Sequence, residues 1–135
     1  MTTLLEYIDR TRPEFKVVCM KHITEYERPL RAHLGAQRGA NGLAIHTIQV
    51  IEKALELNQG HDEREIIEAC LAHDLKYWDT FPLLPHQTAA ILATKGLRWD
   101  VWRKHIRKYR FVVLILIADM WSAYLNASGV TRQDN

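Results

Sequence analysis

Asp119 follows directly on an uninterrupted apolar run of eight residues, Phe111 to Ala118. A carboxylate in that setting is not expected to reach water. Burying an unpaired charge costs several kcal/mol or more, on the order of the whole stability of a small domain. The fold therefore has to bring something cationic to Asp119. An Arg or Lys from elsewhere in the chain is one candidate. A metal ion is the other, and it is favoured by three further metal-capable side chains upstream, His46 and the adjacent pair His73 and Asp74.

The chain has 135 residues, enough for one domain that buries roughly two thirds of its unfolded surface. Apolar residues make up 47% and charged residues 25%, the balance of a globular protein and not of a disordered one. A net charge of +2 is too small for a dedicated nucleic-acid protein, so nucleic acid is open as a partner but not favoured. The longest apolar run falls far short of the ~20 residues a bilayer demands, so no membrane partner is expected. Met1 to Glu6 brings an early acid, with no basic start and no cleavage-like segment, so no signal peptide is expected. Cys19 and Cys70 form neither a CxxC pair nor a disulfide framework. Cytoplasmic residence is the expectation.

The periodicity is helical throughout. Pro13 suits a first turn, and Glu14 to Glu27 carries Phe15, Val18, Cys19, His22, Ile23 and Tyr26 at helical spacing. Pro29 ends that element, and the stretch from Arg31 to Asn41, with Gly35 and Gly39, reads as a loop. Asn41 is a candidate N-cap for a helix running to Asn58. Asp62, with Glu65 as its capping-box partner, opens another that leads into His73 and Asp74. Pro82 and Pro85 then break the chain. A short helix over 86–94 and a long one over 100–126, with an interruption near Tyr109, complete it. Phe111 to Ala118 is β-prone by composition, yet helix formers continue after it, so it reads as buried helix. The expectation is an all-α, single-domain bundle spanning residues 1–135, with its core between about 14 and 126.

Helical spacing aims the polar groups inward. His46 shares a stripe with Leu43, Val50 and Leu57; His73 follows Cys70 by three and Ala69 by four; Asp119 follows Ile115 by four. Adjacent residues diverge by about 100° on a helix, so His73 and Asp74 can serve one ion only near a helix end. A single inward histidine is more often a hydrogen-bonded core residue than a ligand, and an HD dipeptide is common by chance. Three inward polar groups on three apolar faces favour a site. His22, His33 and His61 show no convergence.

The pattern of a helix-borne histidine at 46, HD at 73–74 after an apolar stretch, and Asp119 within an apolar helix resembles the HD-domain superfamily of metal-dependent phosphohydrolases. The matching text is Ala44 to Ile51, Ile66 to Lys76 and Leu116 to Ala123. The resemblance covers roughly residues 41 to 126. It implies a bundle of five or more helices in which His46, His73, Asp74 and Asp119 hold a divalent ion. Many members carry a lysine three positions after the HD aspartate, whereas here Lys76 comes after two and Tyr77 takes the usual place, so a phosphate-binding duty for Lys76 departs from the family pattern. The further order His86, His105, Asp119 is similar to that of binuclear HD enzymes, among them bacterial hydrolases of diadenosine tetraphosphate and a group of di-iron oxygenases. By that likeness Asp74 would bridge two ions, with His86 and His105 on the second; otherwise His86 caps a helix and His105 belongs to a basic surface.

Imidazole and carboxylate ligands suit Mn, Fe, Co, Ni, Zn or Mg, one or two ions per chain. No GxxxxGK[ST] loop and no Ser-His-Asp arrangement is present. Phosphate would then be met by the metal and by cationic side chains. Arg98 to Arg110 holds six Lys and Arg with two Trp and one Tyr, and from it Lys104, Arg107 and Lys108 are candidates for substrate binding. The same stretch also reads as a solvated charged face. Arg31 and Arg38 precede His46 in the glycine-containing loop, and the resemblance adds Arg38, since some HD nucleotidases use an arginine there. The expected activity is hydrolysis of a nucleotide or related small phosphate ester, with Asp74 orienting the attacking water. An HD-type di-iron oxygenase and a non-catalytic nucleotide or nucleic-acid binder are the alternatives. A homo-oligomer is compatible with the Trp and Tyr content.

Overall fold

The computed structural model describes residues 2–96 and 109–125. Six α-helices and no strand are found among them: α1 (Leu4–Asp9), α2 (Pro13–Lys21), α3 (Gly42–Leu57), α4 (Glu63–Ala72), α5 (Pro85–Thr94) and α6 (Tyr109–Met120). Short 3₁₀ turns cover Ile23–Glu27, Gly35–Arg38 and Trp78–Thr80, and a π-type turn, Trp121–Leu125, continues α6. The protein is all-α. None of the described helices is long and apolar enough to cross a membrane.

Four helices form a closed ring. α3 packs on α4 and α6, and α5 packs on the same two, while α1 and α2 lie against α4. Leu43, Val50, Ile51, Ile66, Ile67, Leu71, Ile91 and Ile115 are completely or almost completely buried between them. The β-prone run from Phe111 to Ala118 is helical, because its buried face (Phe111, Val112, Leu114, Ile115, Ala118) follows a helical and not an alternating repeat. Burying those side chains against three neighbours outweighs the modest helix propensity of the β-branched residues.

Several element boundaries differ from the sequence reading. The helix expected to reach Glu27 stops at Lys21 and tightens into 3₁₀ geometry before Pro29. α1 was not foreseen; Thr3 and Glu6 build its capping box, each accepting the other's backbone N–H at 3.2 Å. Tyr7 and Ile8 are buried, so the core extends N-terminal to Glu14. Asn41 does occupy the N-cap position of α3, but by virtue of a left-handed backbone (φ 61°) and without a side-chain cap. Asp62 caps Glu65 N–H at 3.2 Å, while the Glu65 carboxylate turns to His86 instead of completing a box. Leu57 ends the inward stripe of α3 at the surface, 42% exposed.

The chain enters α3 through a tight crossing. A Cβ at Gly42 would lie 1.9 Å from the Gln37 carbonyl oxygen and 3.0 Å from the Leu30 nitrogen, both backbone atoms that cannot swing aside. Gly42→Ala is therefore expected to cost about 2–3 kcal/mol, the upper range for overpacking, by pushing away the loop that carries Gln37. Urea unfolding with an unchanged midpoint would contradict this.

A buried ion pair holds α4 in place. Glu68, fully buried in the middle of α4, accepts from the Arg12 Nε at 3.0 and 3.1 Å, from the Arg12 backbone N–H at 2.9 Å and from Gln87 Nε2 at 3.0 Å. The same guanidinium donates to the Pro82 carbonyl. The Glu68–Arg12 pair thus ties the start of α2, the loop before α5 and α5 itself to the helix that ends at His73.

Candidate metal centre

Three helices deliver four side chains to one point. His46 projects from the first half of α3, His73 is the C-cap of α4 with Asp74 immediately after it, and Asp119 stands near the end of α6. One ligand atom from each lies within 4.8 Å of every other. Asp119 Oδ1 is 2.9 Å from His46 Nε2 and 3.0 Å from His73 Nε2. Asp74 Oδ2 is 3.2 Å from both, and the two Nε2 atoms are 3.3 Å apart. Bonds of about 2.1 Å to one ion place neighbouring ligand atoms roughly 3.0–3.4 Å apart in octahedral or tetrahedral geometry. The five separations, 2.9–3.3 Å, lie within about 0.1 Å of that range, and the group as a whole spans at most 4.8 Å, so with a small adjustment the cluster could hold a divalent ion.

The position of His73 at the helix end resolves the divergence of adjacent side chains. α4 closes at Ala72, and the chain turns so that Asp74 faces the same point as His73. The turn leaves carbonyls without helical partners, and two cations supply donors. Lys95 Nζ donates to the His73 carbonyl at 2.7 Å, and an Arg28 Nη donates to the Asp74 carbonyl at 2.9 Å.

The imidazoles are presented as metal ligands require. His73 Nδ1 donates to the Cys70 carbonyl at 2.6 Å, which leaves Nε2 to face the carboxylates. His46 Nδ1 meets Ser122 Oγ at 3.0 Å. Both rings are fully buried, whereas the side chains of Asp74 and Asp119 are 30% and 18% exposed. The group therefore opens to solvent on its carboxylate side, and Asp119 does reach water, contrary to the reading of its apolar flank. Its cationic neighbours are the two histidines, with no guanidinium against it among the described residues.

Charge inside the group is strongly coupled. Burial alone would raise the Asp74 carboxyl, but the charge on His73 and hydrogen bonds from both histidines hold it well below the usual carboxylate range. Asp119 is lowered likewise, burial being outweighed by hydrogen bonds from His46 and His73. Burial disfavours the His73 imidazolium, yet Asp74 and Asp119 together raise its pKa well above the ordinary value. A raised histidine stabilises the metal-free fold below its unfolded pKa of about 6.5 and loses that contribution as pH rises through its folded value. A divalent ion needs the unprotonated ring, so its affinity runs the other way. In chelator the urea midpoint is thus expected to fall on going from pH 6.5 to 9, and the stabilisation given by added Mn²⁺ to grow. A midpoint that rises with pH in chelator would contradict the coupling.

The remaining expected site residues are distributed differently. His86 is not brought to the group: its Nε2 pairs with Glu65 in the first turn of α4, and its ring meets Phe111 edge-on at 4.8 Å. Eight residues of helix separate Glu65 from His73, about 12 Å at 1.5 Å per residue. Lys76 is exposed with its ammonium over the Tyr77 ring at 5.3 Å, and Arg38 is exposed on the 3₁₀ turn beside Gln37. His105, Lys104, Arg107 and Lys108 lie outside the described residues.

Sequence reasoning missed the support of His46. Gln37, Gln49 and Ser122 are buried behind it, and His33, taken to converge on nothing, packs its ring edge-on to His46 at 4.8 Å. A signal existed: Gln49 follows His46 by three and Ser122 follows Asp119 by three, one helical turn on the same face. Arg28 and Lys95 had no such signal, because only tertiary folding brings them to the end of α4. His22 pairs with Glu25 at 3.3 Å, and His61 packs on Phe111 at 5.5 Å.

Comparison of the chain with family models, with curated proteins and with solved structures found no match.

Proposed function

We propose that this protein is a metal-dependent phosphohydrolase of the HD-domain type, cleaving a phosphoester or phosphoanhydride bond of a nucleotide or related small phosphorylated metabolite. The observation that carries the reading is the convergence of His46, His73, Asp74 and Asp119, the four residues that the resemblance singles out, from three separate helices. A divalent ion bound by them would supply Lewis acidity, activating water and neutralising a phosphoryl oxygen.

The chain's own groups fit the remaining tasks. Asp74, with the more exposed of the two carboxylates, is placed to accept a hydrogen bond from the attacking water and orient it. Arg28 and Lys95 are exposed cations fastened to the backbone of the His73-Asp74 pair, and each keeps N–H donors beyond the one used there. They take the substrate-facing role expected of Lys76, which is turned onto Tyr77. The oxygenase alternative draws on His86 as a ligand, and the pairing of His86 with Glu65 argues against it.

The test is a screen of phosphorylated metabolites for released phosphate by chelator-stripped protein, with Mn²⁺, Co²⁺, Ni²⁺ and Mg²⁺ added one at a time. Release that depends on the ion and disappears in His73→Ala is expected. Two irons per chain with oxygen consumption and no phosphate release would replace this reading with the oxygenase. A single-strand affinity that falls steeply with salt and survives His46→Ala, without hydrolysis, would replace it with the nucleic-acid binder.

A further inference from the structure

The polar network behind His46 is buried, spans three elements, and has an internal hydrogen-bond order that can be read from one backbone atom. The Ser122 carbonyl can only accept, so the Gln37 side-chain atom 3.1 Å from it is the nitrogen. The Gln37 oxygen then faces His33 Nδ1 at 2.9 Å, which donates to it. The Gln49 atom 3.0 Å from the Gln37 nitrogen must accept, so it is the Gln49 oxygen. Ser122 Oγ lies 3.1 Å from that oxygen and 3.4 Å from the His46 carbonyl, so its hydroxyl proton goes to an oxygen acceptor, the Gln49 one being the closer. With its proton committed there, Ser122 Oγ presents a lone pair to His46 Nδ1 at 3.0 Å, while the two Gln37 amide hydrogens are shared among the Ser122 carbonyl, the Gln49 oxygen and Ser122 Oγ. His46 Nδ1 must then carry a proton. The reverse arrangement, with Ser122 donating to His46, would leave two oxygens facing each other without a proton between them.

We propose that Ser122 is a positioning residue that holds His46 in the form protonated on Nδ1, so that Nε2 offers its lone pair to a divalent cation, and that Gln49 and Gln37 hold the Ser122 hydroxyl in that role. This rests on the reading of the four residues as a cation site, and not on phosphate release. The π-type turn beginning at Trp121 carries Ser122 on the same segment as the ligand Asp119, so one stretch of chain supplies both a ligand and the orienter of another ligand. Gln37 extends the support to the loop that crosses Gly42.

The experiment is a Zn²⁺ affinity measurement by competition with a chromogenic chelator, on folded protein checked by circular dichroism. Loss of an outer hydrogen-bond partner typically weakens metal binding 10–100-fold, and Ser122→Ala is expected to fall in that range, with Gln49→Met losing roughly 10-fold. Ser122→Thr keeps the hydroxyl and is expected to stay within about 3-fold of wild type. In the Zn²⁺-loaded wild type the His46 Nδ1–H proton is expected to be visible by NMR and slow to exchange, and in Ser122→Ala it is expected to exchange rapidly. If Ser122→Ala does not fold, Gln49→Met and the wild-type proton decide the matter. Wild-type affinity in Gln49→Met or in folded Ser122→Ala, or a rapidly exchanging proton in the wild type, would overturn the proposal. Tight Zn²⁺ binding with the expected variant pattern but no phosphate release from any ester would overturn the hydrolase reading and leave this one standing.

Discussion

Replacing Asp74 by alanine is expected to lower ion-dependent phosphate release by more than about 100-fold, since losing even an outer partner of a ligand costs 10–100-fold. Asp74 combines two duties that no other described side chain can take over. It supplies one of the two carboxylates of the four-residue group, and it is the more exposed of them, on the side open to solvent. It also lies just beyond the end of α4, where the backbone is held by Lys95 and Arg28, so the side chain can be removed without unlocking the turn. The metal-free variant is expected to lose stability near neutral pH, because Asp74 no longer compensates the charge on buried His73, so its fold is checked by circular dichroism before rates are compared. Asp74→Asn separates charge from shape and should behave like alanine in activity. Initial rates with saturating Mn²⁺ check the prediction, and activity within ten-fold of wild type in Asp74→Ala would remove Asp74 from the mechanism.

Glu68→Ala should have the largest effect on stability. Removing one partner of a buried ion pair typically costs about 3–5 kcal/mol, because the other charge is left without compensation. Arg12 is partly exposed and can regain some water, which places the expected loss toward the lower figure, about 3 kcal/mol. For a chain of this size that corresponds to a fall of roughly 10–15 °C in melting temperature. Gln87 would lose an acceptor in the same step. The double variant Arg12→Met/Glu68→Leu should recover much of the loss, since apolar residues of similar volume often replace such pairs at little cost. A single variant that melts within 3 °C of wild type, about 1 kcal/mol or less, would show that the pair does not anchor α4.

The helices from α3 onward were legible because their patterns are long and strongly periodic. α3, α4 and α5 begin and end within a few residues of the positions predicted by Asn41, Asp62, Pro85 and the Asn58–Gly60 turn. Three of the four candidate ligands were legible for a related reason: a charged or imidazole side chain on an apolar face has to find a partner, and His46, His73 and Asp119 each stand on such a face, while Asp74 came with His73 as an adjacent pair. Glu68 escaped notice because it lies among Glu63 and Glu65 in a polar-looking turn, and only Arg12, 56 positions away, makes its burial tolerable. α1 escaped because it is barely a turn and a half long, held by a capping box and by packing against α4 more than by any periodic pattern. For His86, read either as a ligand of a second ion or as a helix cap, order along the chain carries no information on which end of α4 it meets. The carboxylate at Glu65 settles that in space.

His46, His73, Asp74 and Asp119 are expected to bind one cation together. Isothermal titration of chelator-stripped protein with Mn²⁺ or Zn²⁺ measures this directly. One ion per chain is expected, with heat lost in His46→Ala and in Asp119→Ala while both variants retain their helical circular dichroism. Titration without heat in the wild type, or undiminished binding in both variants, would contradict it.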